Sequence, residues 1–279
     1  MYIFLSGGEV YREYLVQSKH QNFFTTFFYP KNAAKFIDMF YDANKRIIVD
    51  SGAFTFIAQR YVSAASPVKG AVTDRTSLFN LNAYVREYCN FIDQYKNKVF
   101  SFIELDVDMI FGKEKVMEMR AELYKHAGDK LMACYHSTMG QWEQERNELF
   151  KYKFVGIEGI HSGGQAHVDY IQVVKDCYEA NKFVHVFAMT KQDFLQKVPI
   201  CSTDSTSWNA LVKYGRSILD RKTGLLADFV RYRMRRHKKL LGPMILAEVD
   251  KWAKLEKEIT DLWNMRGIDW NSKLKGYNL

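Results

Sequence analysis

The sequence predicts an α/β fold, a (β/α)₈-type barrel followed by a C-terminal helical extension. Eight short apolar runs recur along the chain, and segments with helical spacing lie between most of them. Such alternation is typical of parallel strands joined by helical crossovers. With 279 residues, 47% of them hydrophobic, the chain can bury one sizeable core. An open doubly wound sheet would also alternate, but SGGE after the first run is too short for its glycine-rich phosphate turn.

The candidate strands are rich in β-branched and aromatic residues. We predict them at 2–5, 23–28, 46–49, 99–105, 131–135, 154–157, 183–187 and 199–201. The apolar residues between them recur at helical spacing, which predicts helices at 33–41, 81–95, 115–124, 142–150, 168–180 and 193–196.

Near the C-terminus the pattern changes to helix alone, at 225–241 and 245–265. We therefore predict a catalytic barrel over 1–220 and a basic helical extension over 221–279 that packs on it. The extension is either a solvated basic face or a phosphate-contacting surface, since phosphate contacts supply most of the affinity for a polyanion. For the second alternative the candidate nucleic-acid-binding residues are Arg231, Arg235, Arg236, Lys238 and Lys239.

The overall charge also suits a polyanionic partner, because 40 Lys and Arg against 32 Asp and Glu leave a net charge of +8. The four cysteines are far apart and form no C-x-x-C pair, which indicates neither a zinc cluster nor a disulfide framework. No apolar run approaches the ~20 residues of a membrane helix. We expect a soluble, cytoplasmic protein, in the host cytoplasm if a phage encodes it.

Ionisable side chains follow five of the predicted strands, where a barrel of this kind carries its catalytic residues. They are Asp50 after the third strand, Asp106 and Asp108 after the fourth, His136 after the fifth, Glu158 after the sixth and Asp204 after the eighth. Each aspartate has a simpler interpretation as a helix cap or turn former. Their convergence favours a functional site, since crowded carboxylates are costly unless a substrate or proton relieves them.

Two further ionisable residues, His185 and Glu104, are interpreted as structural. His185 lies inside an apolar run, and Glu104 is expected to contact a helix, on the face opposite to that of Asp106. A metal site is the second interpretation of the carboxylates, since Asp50, Asp106, Asp108 and His136 could ligate Mg²⁺ or Zn²⁺. Nothing in the spacing of these residues specifies a metal, and no local HxH pair is present, so we predict no metal and no cofactor.

Four sequence blocks resemble, in order, the tRNA-guanine transglycosylase superfamily, and within it the shorter phage-type enzymes that place 7-deazaguanines into DNA. The blocks are VDSGAFTF at 49–56, FIELDVD at 102–108, FVGIEGIHSGG at 154–164, and VHVFAMT with ICSTDSTSW within 184–208. They extend from about the third predicted strand to the eighth. DSGAF is the most specific of them.

The resemblance implies a role for each matching residue. Asp204 matches the nucleophile that attacks the sugar C1′ and holds the nucleoside covalently, and Asp50 the general acid or base. Phe54 matches the aromatic that stacks on the base, and Asp106 the carboxylate that accepts hydrogen bonds from a guanine-like edge. The remaining base-binding candidates are Ser51, Gly52, His136, Glu158 and Gly159. His136 stands where the family usually has a glutamine. Met189 or Val186 matches the residue that covers the other face of the base.

Family members that act on tRNA carry a zinc site of three cysteines and a histidine after the nucleophile, and here no cysteine follows Cys201. The resemblance therefore implies exchange of guanine in double-stranded DNA for a free 7-cyano- or 7-aminomethyl-7-deazaguanine. A homodimer or accessory modification proteins are compatible with this interpretation. The alternatives are the same exchange on tRNA, a metal-assisted barrel hydrolase, and a nucleic-acid-binding barrel without chemistry.

Overall fold

Eight parallel strands form a closed barrel in which each strand pairs with its neighbours in sequence and the last pairs with the first. A computed structural model of the chain describes residues 1–53, 55, 75–137, 140–158, 168–210 and 241–275. The predicted (β/α)₈ barrel is confirmed. Closure places the carboxyl ends of all eight strands around one mouth.

The strands are short and nearly all of their residues are buried. They are β1 (Tyr2–Ser6), β2 (Asn22–Thr26), β3 (Arg46–Asp50), β4 (Ser101–Ile103), β5 (Leu131–Tyr135), β6 (Phe154–Ile157), β7 (Phe183–Val186) and β8 (Ser202–Ser205). The eighth strand was predicted wrongly at 199–201. Its sequence is STDS, and these polar residues pair with β1 on one side and β7 on the other. Hydrophobic patterning cannot detect a strand whose buried residues are polar.

Helices cover the outside of the barrel. They are α1 (Arg12–Leu15), α2 (Pro30–Asp42), α3 (Arg75–Tyr95), α4 (Asp108–Ala127), α5 (Trp142–Leu149), α6 (Tyr170–Glu179), α7 (Gln192–Leu195), α8 (Leu241–Met265) and α9 (Trp270–Lys273). Short 3₁₀ turns occupy Glu9–Tyr11, Gly128–Lys130 and Ser207–Asn209. Helices α1 and α9, each a single turn, were not predicted, whereas the single turn of α7 was predicted at 193–196.

Aromatic rings fill the lower half of the barrel. Phe4 stacks on Phe100 with ring centroids 6.2 Å apart, and Tyr2 stacks on Phe183 at 6.3 Å. Phe154 packs edge-on against Phe100 at 5.1 Å. These rings lie near the amino ends of the strands, below the mouth that the carboxyl ends form.

The described part of the C-terminal extension, 241–275, packs on the barrel. Glu256 of α8 accepts a 2.6 Å hydrogen bond from the Ile3 amide, and the Trp263 indole donates to the Leu195 carbonyl at 2.8 Å. The basic residues Arg231, Arg235, Arg236, Lys238 and Lys239 lie outside the described residues. None of the helices within the described ranges is both long and apolar enough to cross a bilayer.

A buried ion pair ties the fourth strand to the helix that follows it. Arg120 of α4 donates to both carboxylate oxygens of Glu104, at 2.5 and 2.8 Å, and both side chains are almost fully buried. The Cys134 amide of β5 donates to the same carboxylate at 2.6 Å. The prediction that Glu104 faces a helix rather than the mouth is confirmed.

We expect Arg120→Met to lower the free energy of unfolding by about 3–5 kcal/mol, because it leaves the Glu104 carboxylate buried without its partner. The matched control is Lys125→Met, which breaks an exposed pair with Glu122 on the same helix and should change little. Urea denaturation of both variants measures the difference. Equal effects would show that the buried pair does not stabilise the fold.

Candidate active site

The barrel brings the predicted ionisable side chains to one mouth. Asp50 is the last residue of β3, and Asp204 lies in β8, one residue before its end. His136 and Glu158 directly follow β5 and β6, while Asp106 lies in the turn after β4. The carboxyl ends of parallel strands meet here, which is where barrels of this kind carry their chemistry.

Asp204 is buried, with 9% of its surface exposed, and is held by donors from both neighbouring strands. Its Oδ1 accepts a 2.8 Å hydrogen bond from the Ala188 amide, and its Oδ2 lies 3.4 Å from the Ser6 hydroxyl, which donates to it. Ala188 has a φ of 53°, a left-handed conformation that costs a residue with a Cβ about 1–2 kcal/mol. The strained backbone is what aims its amide at the carboxylate.

Asp50 is partly buried beside this carboxylate. The Gly52 amide donates to its Oδ2 at 2.9 Å, and Thr26 forms a side-chain hydrogen bond with it. Burial and, to a smaller extent, the negative charge of Asp204 raise the pKa of Asp50 to about 6, against these hydrogen bonds. The two carboxylates therefore sense each other, although they come from strands that are not adjacent in the barrel.

Ser51 and Gly52, predicted to contact substrate, have partners within the protein. The Ser51 hydroxyl is buried and donates to the Glu104 carbonyl at 2.9 Å. The Ser51 backbone carbonyl accepts a hydrogen bond from the Tyr84 hydroxyl at 2.6 Å. Gly52 has a φ of 76°, in the left-handed region that favours glycine. Both residues hold the turn that positions Asp50.

A second charged group forms on the other side of the mouth, around His136. Its Nε2 lies 3.1 Å from Asp106 Oδ1, and its Nδ1 lies 3.7 Å from Glu158 Oε2. Burial alone would lower the pKa of His136, but the nearby carboxylates of Glu158, Asp106 and Asp108 raise it to about 9. The imidazole is therefore a cation at neutral pH.

The carboxylates around His136 respond to it in opposite ways. Burial would raise the pKa of Glu158, but hydrogen bonds from His136 and from the Ser137 amide lower it to about 2. Desolvation by the surrounding groups and a hydrogen bond with Asp108 raise the pKa of Asp106 to about 7, against the charge of His136, even though 45% of the Asp106 side chain is exposed. The group thus offers a cationic donor beside a carboxyl that titrates near neutrality.

The same group contains a set of atoms spaced to hold a metal ion. One ligand atom each from Asp106, Asp108 and His136 lies within 4.8 Å of the others. Oxygen ligands with one imidazole suit a divalent cation. A metal would have to displace the proton that the raised pKa of His136 keeps on the ring.

Of the residues predicted to contact the base, some are buried in the structure and others lie outside the described residues. Val186 and Met189 are both buried, at 0% and 2% exposed. The partly exposed aromatic of this segment is Phe187, and a Cβ on Gly156 would lie 2.9 Å from its ring. Phe54 and Gly159 lie outside the described residues.

Sequence reasoning missed two residues near Asp204. His185 was interpreted as purely structural, yet its Nε2 lies 3.4 Å from Asp204 Oδ1. Phe187 was not singled out, although it packs on His185 with centroids 5.0 Å apart. Alternation along the strand was a usable signal, because residues 185 and 187 share one face.

Ser205 and Trp208, which follow Asp204, form a turn and part of the core. Ser205 accepts a 3.0 Å hydrogen bond from the Ser207 amide in the turn after β8. Trp208 is fully buried, and its indole donates to the Ser6 carbonyl at 2.8 Å. Through Ser6, the core tryptophan supports one of the donors to Asp204.

Comparison of the chain with protein-family models gives no match, and comparison with curated proteins gives none either.

We expect Gly52→Ala to destabilise the protein more than Gly267→Ala does. Both glycines have positive φ, 76° and 84°, and a side chain in that conformation costs about 1–2 kcal/mol. A methyl at Gly52 would lie 2.6 Å from Phe28 Cβ, whereas nothing lies within 4 Å of one at Gly267. Overpacking should add about 1–3 kcal/mol at Gly52, measured by urea denaturation. Equal losses would mean that the turn after β3 is loosely packed.

We expect Asp50→Asn to stabilise the protein at pH 7 but not at pH 4. The folded-state pKa of Asp50, about 6, lies above its ordinary value of 3.8, so folding loses stability as pH rises from 3.8 through 6. Asparagine cannot ionise, so it should recover roughly 1–3 kcal/mol at pH 7. Urea denaturation at the two pH values measures this, and an identical change at both would contradict the raised pKa.

Proposed function

We propose that the protein is a base-exchange transglycosylase that replaces guanine in DNA with a 7-deazaguanine through a covalent aspartyl-glycosyl intermediate. The observation that supports this most is the pair formed by Asp204, a carboxylate held by two donors, and Asp50, whose pKa lies near 6. A carboxylate can trap an oxocarbenium-like carbon and leave again, as in retaining glycosidases. That chemistry also needs a neighbouring group that gives and takes a proton, and a carboxyl such as Asp50, which titrates near the working pH, can do both.

In the first half of the proposed reaction, the bond between C1′ and guanine N9 breaks and its electron pair goes to the base. Asp204 forms an ester bond to C1′, and protonated Asp50 gives its proton to the departing guanine. In the second half, Asp50 takes the N9 proton of the incoming 7-deazaguanine, whose N9 attacks C1′. The ester breaks and Asp204 returns to its carboxylate form, so the proton on Asp50 is also restored.

Extrusion of the target guanine from the duplex would bring it to the mouth, at a cost of a few kcal/mol. There the Asp106 carboxyl can accept from the N1 and amino edge of the ring, and the His136 cation can donate to its carbonyl. Phe54 is proposed to stack on the base. The net charge of +8 and the basic residues at 231–239 support a DNA partner.

We expect Asp204→Asn to abolish the covalent adduct with guanine-containing DNA and to slow exchange of labelled guanine by at least about a thousandfold. Gel electrophoresis under denaturing conditions and mass spectrometry detect the adduct. The matched control is Asp193→Asn on α7, an exposed aspartate outside the site, which should exchange at the wild-type rate. An adduct in Asp204→Asn would contradict the proposed nucleophile.

The same assay with duplex DNA and tRNA as parallel substrates separates DNA exchange from exchange on tRNA. If DNA binding survives Asp204→Asn and wild-type protein releases no base from either polymer, the barrel binds nucleic acid without chemistry.

A metal-assisted hydrolase is the second candidate, favoured by the spacing of Asp106, Asp108 and His136. It predicts a stoichiometric metal by elemental analysis and an activity that chelators remove. The transglycosylase predicts insensitivity to chelators.

A further inference from the structure

His185 lies in β7, inside the barrel and beside Asp204. It is fully buried among aromatic rings, stacked on Phe24 with centroids 6.2 Å apart and edge-on to Phe4 at 5.9 Å. Phe187 covers it at 5.0 Å. A polar ring in such surroundings is costly unless its nitrogens find partners. The partners available to its two nitrogens therefore determine where its proton lies.

The Nδ1 atom has a clear partner in Ser202, whose Oγ lies 2.9 Å away. The same hydroxyl lies 3.2 Å from the Val184 carbonyl, a second acceptor for its proton. Ser202 has one proton and cannot give it to both. When that proton goes to Nδ1, a proton on Nε2 leaves His185 neutral; when it goes to Val184, Nδ1 must donate to Ser202, and a proton on Nε2 makes the ring an imidazolium.

The Nε2 atom is buried and has no hydrogen-bond partner among the described residues. Asp204 Oδ1 lies 3.4 Å from this nitrogen, slightly beyond an ordinary N–H···O distance. If Nε2 carried no proton, its lone pair would face a carboxylate oxygen in a water-poor interior, and both would be acceptors. That arrangement is unfavourable, so the neutral form with its proton on Nδ1 alone does not fit this site.

We propose that His185 is a positioning residue for Asp204, with a proton on Nε2 directed at Oδ1. The Ala188 amide donates to the same oxygen at 2.8 Å, so Oδ1 is held by two donors from the β7 side. Among the described residues, Oδ2 then has only the 3.4 Å contact from Ser6, and it is the oxygen that attacks the sugar. The catalytic part of this inference rests on the proposed function, whereas the position of the proton does not.

The first arm of the test is a ¹⁵N NMR spectrum of the wild-type protein at pH 7 and pH 8, with His185 assigned by comparison with His185→Gln. We expect Nε2 of His185 to give the signal of a protonated nitrogen at both pH values. An unprotonated Nε2 would overturn the proposal. This arm needs no substrate, so it is decisive even if the protein has no transglycosylase activity.

The second arm measures the rate of adduct formation between the protein and guanine-containing DNA. His185→Phe keeps an aromatic ring against Phe4 and Phe24 but removes both nitrogens, and we expect at least a tenfold fall in kcat with KM nearly unchanged. His185→Gln can place an amide donor near the Nε2 position and should recover part of the loss. Thermal unfolding of each variant shows that it is folded.

The matched control is His20→Phe, a buried histidine whose Nε2 contacts the Ile3 carbonyl at 2.7 Å, away from Asp204. It should affect stability but not the adduct rate. Wild-type kcat in His185→Phe, or an equal loss in the Phe and Gln variants, would overturn the positioning role. Absence of any adduct in the wild-type protein would instead overturn the proposed function, with the NMR result still deciding the His185 contact.

Discussion

The pairing of β8 with β1 closes the barrel, and the candidate site depends on it. Closure sets Asp204 opposite Phe4 and Ser205 opposite Leu5 in a parallel register. That register places the Ser6 hydroxyl within reach of Asp204, while β7 on the other side supplies the Ala188 amide. A one-residue slip of β8 would turn Asp204 out of the barrel and into the helical layer. The geometry of the nucleophile candidate is therefore a property of the whole barrel.

Burying charge at the mouth has a cost that the rest of the fold offsets. Asp50 has a raised pKa, Ala188 has a left-handed backbone, and His136 is a buried cation. Such features persist where the surrounding structure over-determines them, and they cluster at functional sites. The aromatic rings below the mouth and the buried pair of Glu104 with Arg120 supply the rigid support.

The fold was predictable because seven of the eight strands are apolar runs and the crossover helices between them are amphipathic. The eighth strand was predicted at the wrong position because its residues STDS are polar and are buried by pairing with β1 and β7. A local sequence pattern does not show which strands will pair. The residues after the strands were predictable as a group, since their order along the chain gives their place around the mouth. The contact of His185 with Asp204 was not, because it depends on the relative register of β7 and β8.

The proposed chemistry requires that Asp50 and Asp204 share one electrostatic environment at the mouth of the barrel. The most direct measurement is a ¹³C NMR titration of the Asp50 carboxyl in the wild-type protein and in Asp204→Asn. We predict a midpoint at about 6 in the wild-type protein and a lower midpoint once the charge of Asp204 is removed. A midpoint near 3.8 in both proteins, or one that does not move, would contradict a shared pocket.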